Sequence, residues 1–102
     1  TEMIDFARVV GFDWDLGNAD KSVDKHGVTP AEAEQVFFND PLLLLGDDKH
    51  SAVETRFHAL GRSDDGRLLQ VSFTMRRDGT LVRVISARDM NRRERAVYGE
   101  EA

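Results

Sequence analysis

The spacing of apolar and polar positions changes period along the chain. Residues 8–14 (Arg-Val-Val-Gly-Phe-Asp-Trp) read as a first strand. Residues 15–26 predict a helix: Asp15 can cap it, Leu16, Ala19 and Val23 share one face, and Gly27 suits the left-handed residue that ends it. Thr29-Pro30-Ala31-Glu32 opens a second helix, with a capping threonine, proline in the first helical position and Glu32 completing a capping box. That helix carries Ala33, Val36 and Phe37 and stops at Asn39-Asp40-Pro41.

From there the pattern alternates with period two. A short strand at 42–45 and a polar loop at 46–53 precede three strands at 54–61, 67–76 and 81–88, with turns at Asp64-Asp65-Gly66 and Asp78-Gly79. In the middle strand Leu69, Val71, Phe73 and Met75 point one way and Gln70, Ser72, Thr74 and Arg76 the other. A last helix runs from residue 89 or 91 to 100. The order β-α-α-β-β-β-β-α predicts an α+β fold, two N-terminal helices packed on an antiparallel meander with a C-terminal helix. No internal repeat interrupts it, and 102 residues suit one domain spanning 1–102.

Composition narrows the class. The chain is 40% apolar and 32% charged, which is globular rather than disordered. It has no cysteine, so a reducing, cytoplasmic setting is expected. The longest apolar run, Leu42 to Leu45, is far too short to span a membrane, and the N-terminus lacks a signal-peptide pattern. The net charge of −5 argues against a simple nucleic-acid binder, but its distribution reopens the question. Residues 1–53 carry 4 Lys+Arg and 11 Asp+Glu, whereas residues 54–95 carry 10 Arg, no Lys and 6 Asp+Glu. Arginine alone in the basic half matters, because its planar fork grips phosphate or carboxylate with two bonds and keeps its charge when partly buried. Ordinary solvated arginines would give the same composition.

Two groups of residues carry candidate chemistry. Glu54, Arg56 and His58 fall on one face of a strand, an acid, a cation and an imidazole fit for acid–base work beside an anion, or simply a solvent face. Arg88, Arg92, Arg93 and Arg95 gather at the start of the last helix while Glu100 and Glu101 sit at its end, opposite to the preference of the helix dipole. Free N–H groups there offer an anion site, unless Glu94 and other acids neutralise the arginines. His26, at the end of the first helix, is a favourable dipole partner, and His50 lies in a polar loop. No HExxH or cysteine spacing indicates a metal, although Asp13, Asp15, Asp47 and Asp48 are weak cation candidates.

Several stretches in order resemble the BrnT family of type II toxins: Phe12-Asp13-Trp14-Asp15, Lys25-His26-Gly27-Val28, Glu34, Val36, Phe37, Asp40 and Pro41, then Glu54, Arg56, Gly61-Arg62, Gly66-Arg67, Thr74, Arg83, Ile85-Ser86-Ala87-Arg88, Glu94-Arg95 and Tyr98. The likeness covers residues 12–98 and leaves residues 1–11 as a possible extension. It implies a RelE-like fold and a metal-independent endoribonuclease that needs no cofactor. It also implies a BrnA-like ribbon-helix-helix antitoxin, operator DNA bound only through that antitoxin, no membrane, and a homodimer or a heterotetramer with the antitoxin. On that reading Arg62 and Arg88 stabilise charge on RNA, with Arg56 and Arg83 as support. Glu54, His26 and His58 are the candidate acid or base, and Tyr98 positions or protonates. Arg92 and Arg95 contact RNA, and the arginine-rich half serves RNA and antitoxin alike. Asp89 stands where the family commonly has lysine and would lower the positive potential beside Arg88. A catalytically weak or inactive homologue acting as an antitoxin-binding co-repressor is the alternative.

Overall fold

A computed structural model describes residues 4–47 and 54–101 of the chain. Its elements are β1 (Gly11–Trp14), α1 (Leu16–His26), α2 (Pro30–Gln35), β2 (Leu43–Gly46), β3 (Arg56–Arg62), β4 (Leu68–Arg76), β5 (Leu81–Asp89) and α3 (Arg92–Glu101). Short 3-10 turns lie at Phe6–Arg8 and Val36–Phe38. Five strands form one sheet in the order β1-β5-β4-β3-β2.

Local chemistry explains the helix ends. Asp15 Oδ1 accepts from the N–H groups of Gly17 and Asn18, and Gly27 closes α1 at φ 64°, where a Cβ would be strained. Thr29 Oγ1 accepts from the Glu32 N–H and Pro30 opens α2. The capping box forms only on the threonine side, because the Glu32 carboxylate turns to Arg67.

Three expectations need correction. The sheet is mixed, not purely antiparallel: β2 to β5 form the meander, but β1 pairs parallel with β5, Asp13 opposite Arg83. The first strand starts at Gly11 rather than residue 8, because Asp5 caps a 3-10 turn at Phe6–Arg8. The face of α1 is also shifted. Val23 is 42% exposed and Ser22 is buried. A small hydroxyl lets the helix close on β5, and Ser22 Oγ accepts from the Ala87 N–H at 3.2 Å beyond the end of the β1 ladder.

One face of the sheet is the apolar core. Ala59, Val71, Phe73, Val82, Val84 and Ala87 meet Val28, Ala33 and Val36 from the helical side. Phe73 stacks on Phe57 at 5.5 Å and meets Phe37 edge-on at 5.1 Å. Gly61 is required there, since a Cβ would lie 2.7 Å from Val36 Cγ1. Ile4, Phe6 and Val9 pack on the same core. Arg67 fastens the helical side to the sheet with all five of its N–H donors: Nε and Nη2 to Asp89 (2.7 and 3.0 Å), Nη1 to Glu32 and the Gly27 carbonyl (both 3.0 Å), and Nη2 also to the His26 carbonyl (2.8 Å). Those bonds raise the Arg67 pKa and hold the Asp89 carboxyl below the usual aspartate range.

Candidate functional site

The second face of the sheet is polar, and β4 is buried on that side too: Gln70, Ser72 and Thr74 are all enclosed. Strand register arranges this face in rows. One row reads Asp13, Arg83, Thr74, Arg56 across β1, β5, β4 and β3. The next reads Ser86, Ser72, His58, Leu45, and the one after it Arg88, Gln70, Leu60, Leu43. A register shift between Ser72 and Phe73, which leaves Ile85 extra on β5, keeps Arg83, Ser86 and Arg88 on the same side.

The middle row is a connected network. His58 Nε2 donates to Asp47 Oδ2 at 2.8 Å. On the other side of the ring, Nδ1 lies 2.8 Å from Ser72 Oγ and 2.6 Å from Gln70 Nε2. With the ring neutral, Nδ1 accepts from Gln70 Nε2, and the Ser72 hydroxyl lies between Nδ1 and Gln70 Oε1, 3.4 Å away. The first row is looser. Arg83 reaches Asp13 at 3.3 Å and Asp15 at 3.6 Å. Between Arg83 and Arg56 the Thr74 hydroxyl is 2% exposed and has no hydrogen-bond partner among the described residues. A buried hydroxyl left unbonded costs about 1–3 kcal/mol, so this atom marks a place where an acceptor or donor from outside would be stabilised.

Of the residues singled out above, the structure brings Glu54, Arg56, His58, Arg83 and Arg88 to this one face. Glu54 sits at its outer end, ion-paired with Arg76 at 2.8 Å. Arg88 is held by Glu94 through two bonds of 2.7 and 2.9 Å. That hydrogen bonding raises the Arg88 pKa. Burial pushes the Glu94 carboxyl up, but Arg88 and the Asn91 N–H outweigh it and hold it below the usual glutamate range. Glu94 Oε1 also accepts from the Asn91 N–H while Asn91 Oδ1 accepts from the Glu94 N–H. This reciprocal box occupies the start of α3, so the expected anion site at that helix end is filled by the protein's own carboxylate. Arg92 and Arg95 are exposed on α3.

Three residues lie apart from the Arg83–Thr74–Arg56 row and the His58 network. His26 is on the helical side, its carbonyl held by Arg67. Arg62 is at the far end of β3, donating from Nε to the Asp40 carbonyl at 3.0 Å. Tyr98 is buried beside Leu60 and Met90, donates to the Pro41 carbonyl at 2.7 Å, and has its pKa raised by burial, with Asp40 adding to the shift and Arg62 opposing it. Asp89 does not weaken the Arg88 site as expected, because strand alternation turns it to the helical side, where Arg67 binds it. Asp48 and His50 lie outside the described residues. Sequence reasoning offered Asp47 only as a weak cation candidate and gave no chemical role to Gln70, Ser72 or Thr74. The signal for the last three was present, since they share the β4 face with Arg76. Among the described residues no group of three or more His, Cys, Asp or Glu side chains converges as a metal site. No helix among them is long and apolar enough to cross a membrane.

Comparison with known proteins agrees with this architecture. The crystal structure of the Brucella abortus ribonuclease toxin BrnT, solved at 1.1 Å, superposes with a TM-score of 0.63 at 19% identity, covering 82% of this chain and 100% of that one. At that identity the likeness shows the fold. A search of curated proteins finds no relative of similar sequence. The family described as "Ribonuclease toxin, BrnT, of type II toxin-antitoxin system" matches residues 14–94. The chain thus belongs to the BrnT family of ribonuclease toxins of type II toxin–antitoxin systems.

Proposed function

We propose that this chain cuts RNA on the polar face of its sheet, without a metal ion, and that an antitoxin holds it in check. The observation that carries the reading is the row Arg83–Thr74–Arg56 beside the Asp47–His58–Ser72 network, at the end of this face away from α3, which packs at the other end against Leu60 and Arg88. Two guanidiniums flanking an unbonded hydroxyl match a phosphate group, which takes two or more donors and favours arginine.

The chemistry follows from RNA itself. The 2′-hydroxyl oxygen attacks the adjacent phosphorus, and the bond to the 5′-oxygen of the next nucleotide breaks. A base takes the 2′ proton and an acid supplies one to the departing oxygen, leaving a 2′,3′-cyclic phosphate and a 5′-hydroxyl. Arg83 and Arg56 stabilise the extra charge on the phosphorane, exchanging the loosely held Asp13 and Asp15 carboxylates for phosphate oxygens. His58, one row further along β3, and Glu54, at the outer end of the face, are the proton carriers. Arg88, fixed by Glu94, shapes the field at the other end. With α1 and α2 on one face and substrate on the other, we read the layout as RelE-like. We take the partner to be a BrnA-like ribbon-helix-helix protein through which operator DNA is bound, in a heterotetramer, in the cytoplasm.

The test is a short RNA incubated with purified protein in EDTA, beside the same RNA carrying one 2′-deoxy residue at the cut. Cleavage of the first to a cyclic phosphate and survival of the second are expected. Cleavage of both, or cleavage only with magnesium, overturns the mechanism.

A second reading has its own observation. Arg83 and Arg88 both already hold carboxylates of this chain, which quietens the face and fits an inactive homologue that acts through its antitoxin. Intact RNA after prolonged incubation with folded protein, together with tight antitoxin binding, selects it.

A further inference from the structure

On the helical side, at the edge of the sheet, an apolar groove of about 550 Å³ is lined by Val9, Val10, Phe12, Phe37, Phe38 and Glu34, among others. Val10 is 81% exposed and Phe38 77% exposed. Two large apolar side chains so open on a domain this small are placed at a cost in water, and together they form a patch of the kind that marks interaction surfaces. The groove runs along β1, an edge strand paired only with β5 on its inner side. Phe12 touches both Phe37 (5.6 Å) and Phe38 (6.0 Å), so the aromatic floor is fixed before any partner arrives.

We infer that this groove is the anchor for the antitoxin, and that it takes a polypeptide segment carrying two bulky apolar side chains next to a lysine or arginine. The inference rests on the antitoxin that family membership implies and not on the RNA chemistry proposed above. Charge selects the occupant. Glu34 is the one charged side chain lining the groove, and among the described residues only its Oε2 is used, accepting from Trp14 Nε1 at 2.8 Å. An apolar floor with a carboxylate repels RNA, which carries a negative charge at every phosphate. The same carboxylate suits a cationic side chain of a protein partner, and aromatic pockets are where protein interfaces concentrate their affinity. The groove opens on the face of the sheet opposite the Arg83–Thr74–Arg56 row, since Phe12 and Val82 lie across from each other on the core side while Asp13 and Arg83 point the other way. In place of the single shared surface that the charge pattern predicts, anchoring and catalysis occupy separate faces. A segment of the antitoxin must then pass around the sheet edge to reach the RNA face.

The test uses the full chain and the antitoxin encoded beside it, purified together and then titrated against each other. Phe38→Glu and Val10→Glu are each expected to weaken binding roughly 30-fold or more, the loss typical of an interface hot spot. Arg83→Ala is expected to stay within about three-fold, as residues outside the anchor do. RNA cleavage by Phe38→Glu alone should match wild type and resist neutralisation by added antitoxin. Both side chains are largely exposed, so the variants should melt with wild type. If Phe38→Glu does not, Val10→Glu decides. Binding by both glutamate variants within three-fold of wild type overturns the inference. So does light scattering that shows a dimer of the isolated chain dissociated by Phe38→Glu, which would make a second copy the occupant. A wild-type chain that never cuts RNA, yet loses its antitoxin on Phe38→Glu, would sink the RNA reading and leave the anchor standing.

Discussion

Strand β4 is enclosed on both faces, and the two faces are made of different chemistry. Toward the helices, Leu69, Val71 and Phe73 meet hydrocarbon and aromatic rings. Toward the other side, Gln70, Ser72 and Thr74 are almost as enclosed, but Gln70 and Ser72 bond the His58 imidazole and each other, and Thr74 lies in register between Arg83 and Arg56. The first face gains free energy simply by excluding water. The second gains only where each polar group finds a partner, and Thr74 Oγ1 has none among the described residues. The arginines divide the same way. Arg67 has every donor engaged within the protein, whereas Arg83 holds its acids at 3.3 and 3.6 Å and can trade them. Fixed contacts are concentrated on the helical side, and exchangeable polar contacts lie on the other.

The strongest test of that division is Phe73→Ala. Removing the ring that links Phe57 and Phe37 should lower the unfolding free energy by about 3–5 kcal/mol, read by urea denaturation. A loss below about 1 kcal/mol would mean that the stack is not the core. Next comes Arg67→Ala, expected to lose about 1–3 kcal/mol after allowance for its partial exposure, because Asp89 and two helix-end carbonyls lose their donor. Arg83→Ala in the same assay should lose less than about 1 kcal/mol, as surface ion pairs do. Equal losses would erase the contrast between the two arginines.

Acid sharpens the comparison further. Asp89 and Glu94 both have folded pKa values below their ordinary 3.8 and 4.5. A lowered carboxyl contributes stability above its unfolded pKa and loses it as pH falls through the folded one. The gap in stability between wild type and Arg67→Ala should therefore be full at pH 7 and narrow below pH 3.8. A gap that is the same at pH 7 and pH 3 would show that the Asp89 pair is not its source. The smallest expected effect on folding is that of Thr74→Val. Replacing an unbonded hydroxyl by a methyl of the same shape should leave stability unchanged or raise it by up to about 1 kcal/mol, while RNA cleavage slows. Unchanged cleavage would make Thr74 a packing residue.

Local features of this fold were readable in the sequence. Asp15, Gly27, Thr29 and Pro30 act within a turn of their own position, and they cap what they were expected to cap. Alternation along β4 correctly separated Leu69, Val71 and Phe73 from Gln70, Ser72 and Thr74. Alternation shows which residues share a face, however, and not what covers it, so the burial of the polar face could not be read. The parallel pairing of a four-residue β1 with β5 depends on chain ends about seventy residues apart, as Asp13 opposite Arg83 shows. Asp47 meets His58 across the β2–β3 pairing, eleven residues apart, where the strand register and not alternation brings them together. The Arg88–Glu94 pair was closer to hand, six residues apart across the turn into α3, but its competition with an anion site is decided by geometry.

The central claim is that the polar face, and not the arginine-rich helix end, handles the phosphate. The single-turnover rate of RNA cleavage for Arg83→Ala, beside wild type and an Arg92→Ala, Arg95→Ala pair, tests it directly. With melting temperatures matched, Arg83→Ala should cut at least about 100-fold more slowly, the usual cost of removing one donor to a charged transition state, and the helix pair should stay within a few-fold. Wild-type cleavage by Arg83→Ala, with activity lost in the helix pair, would contradict the account.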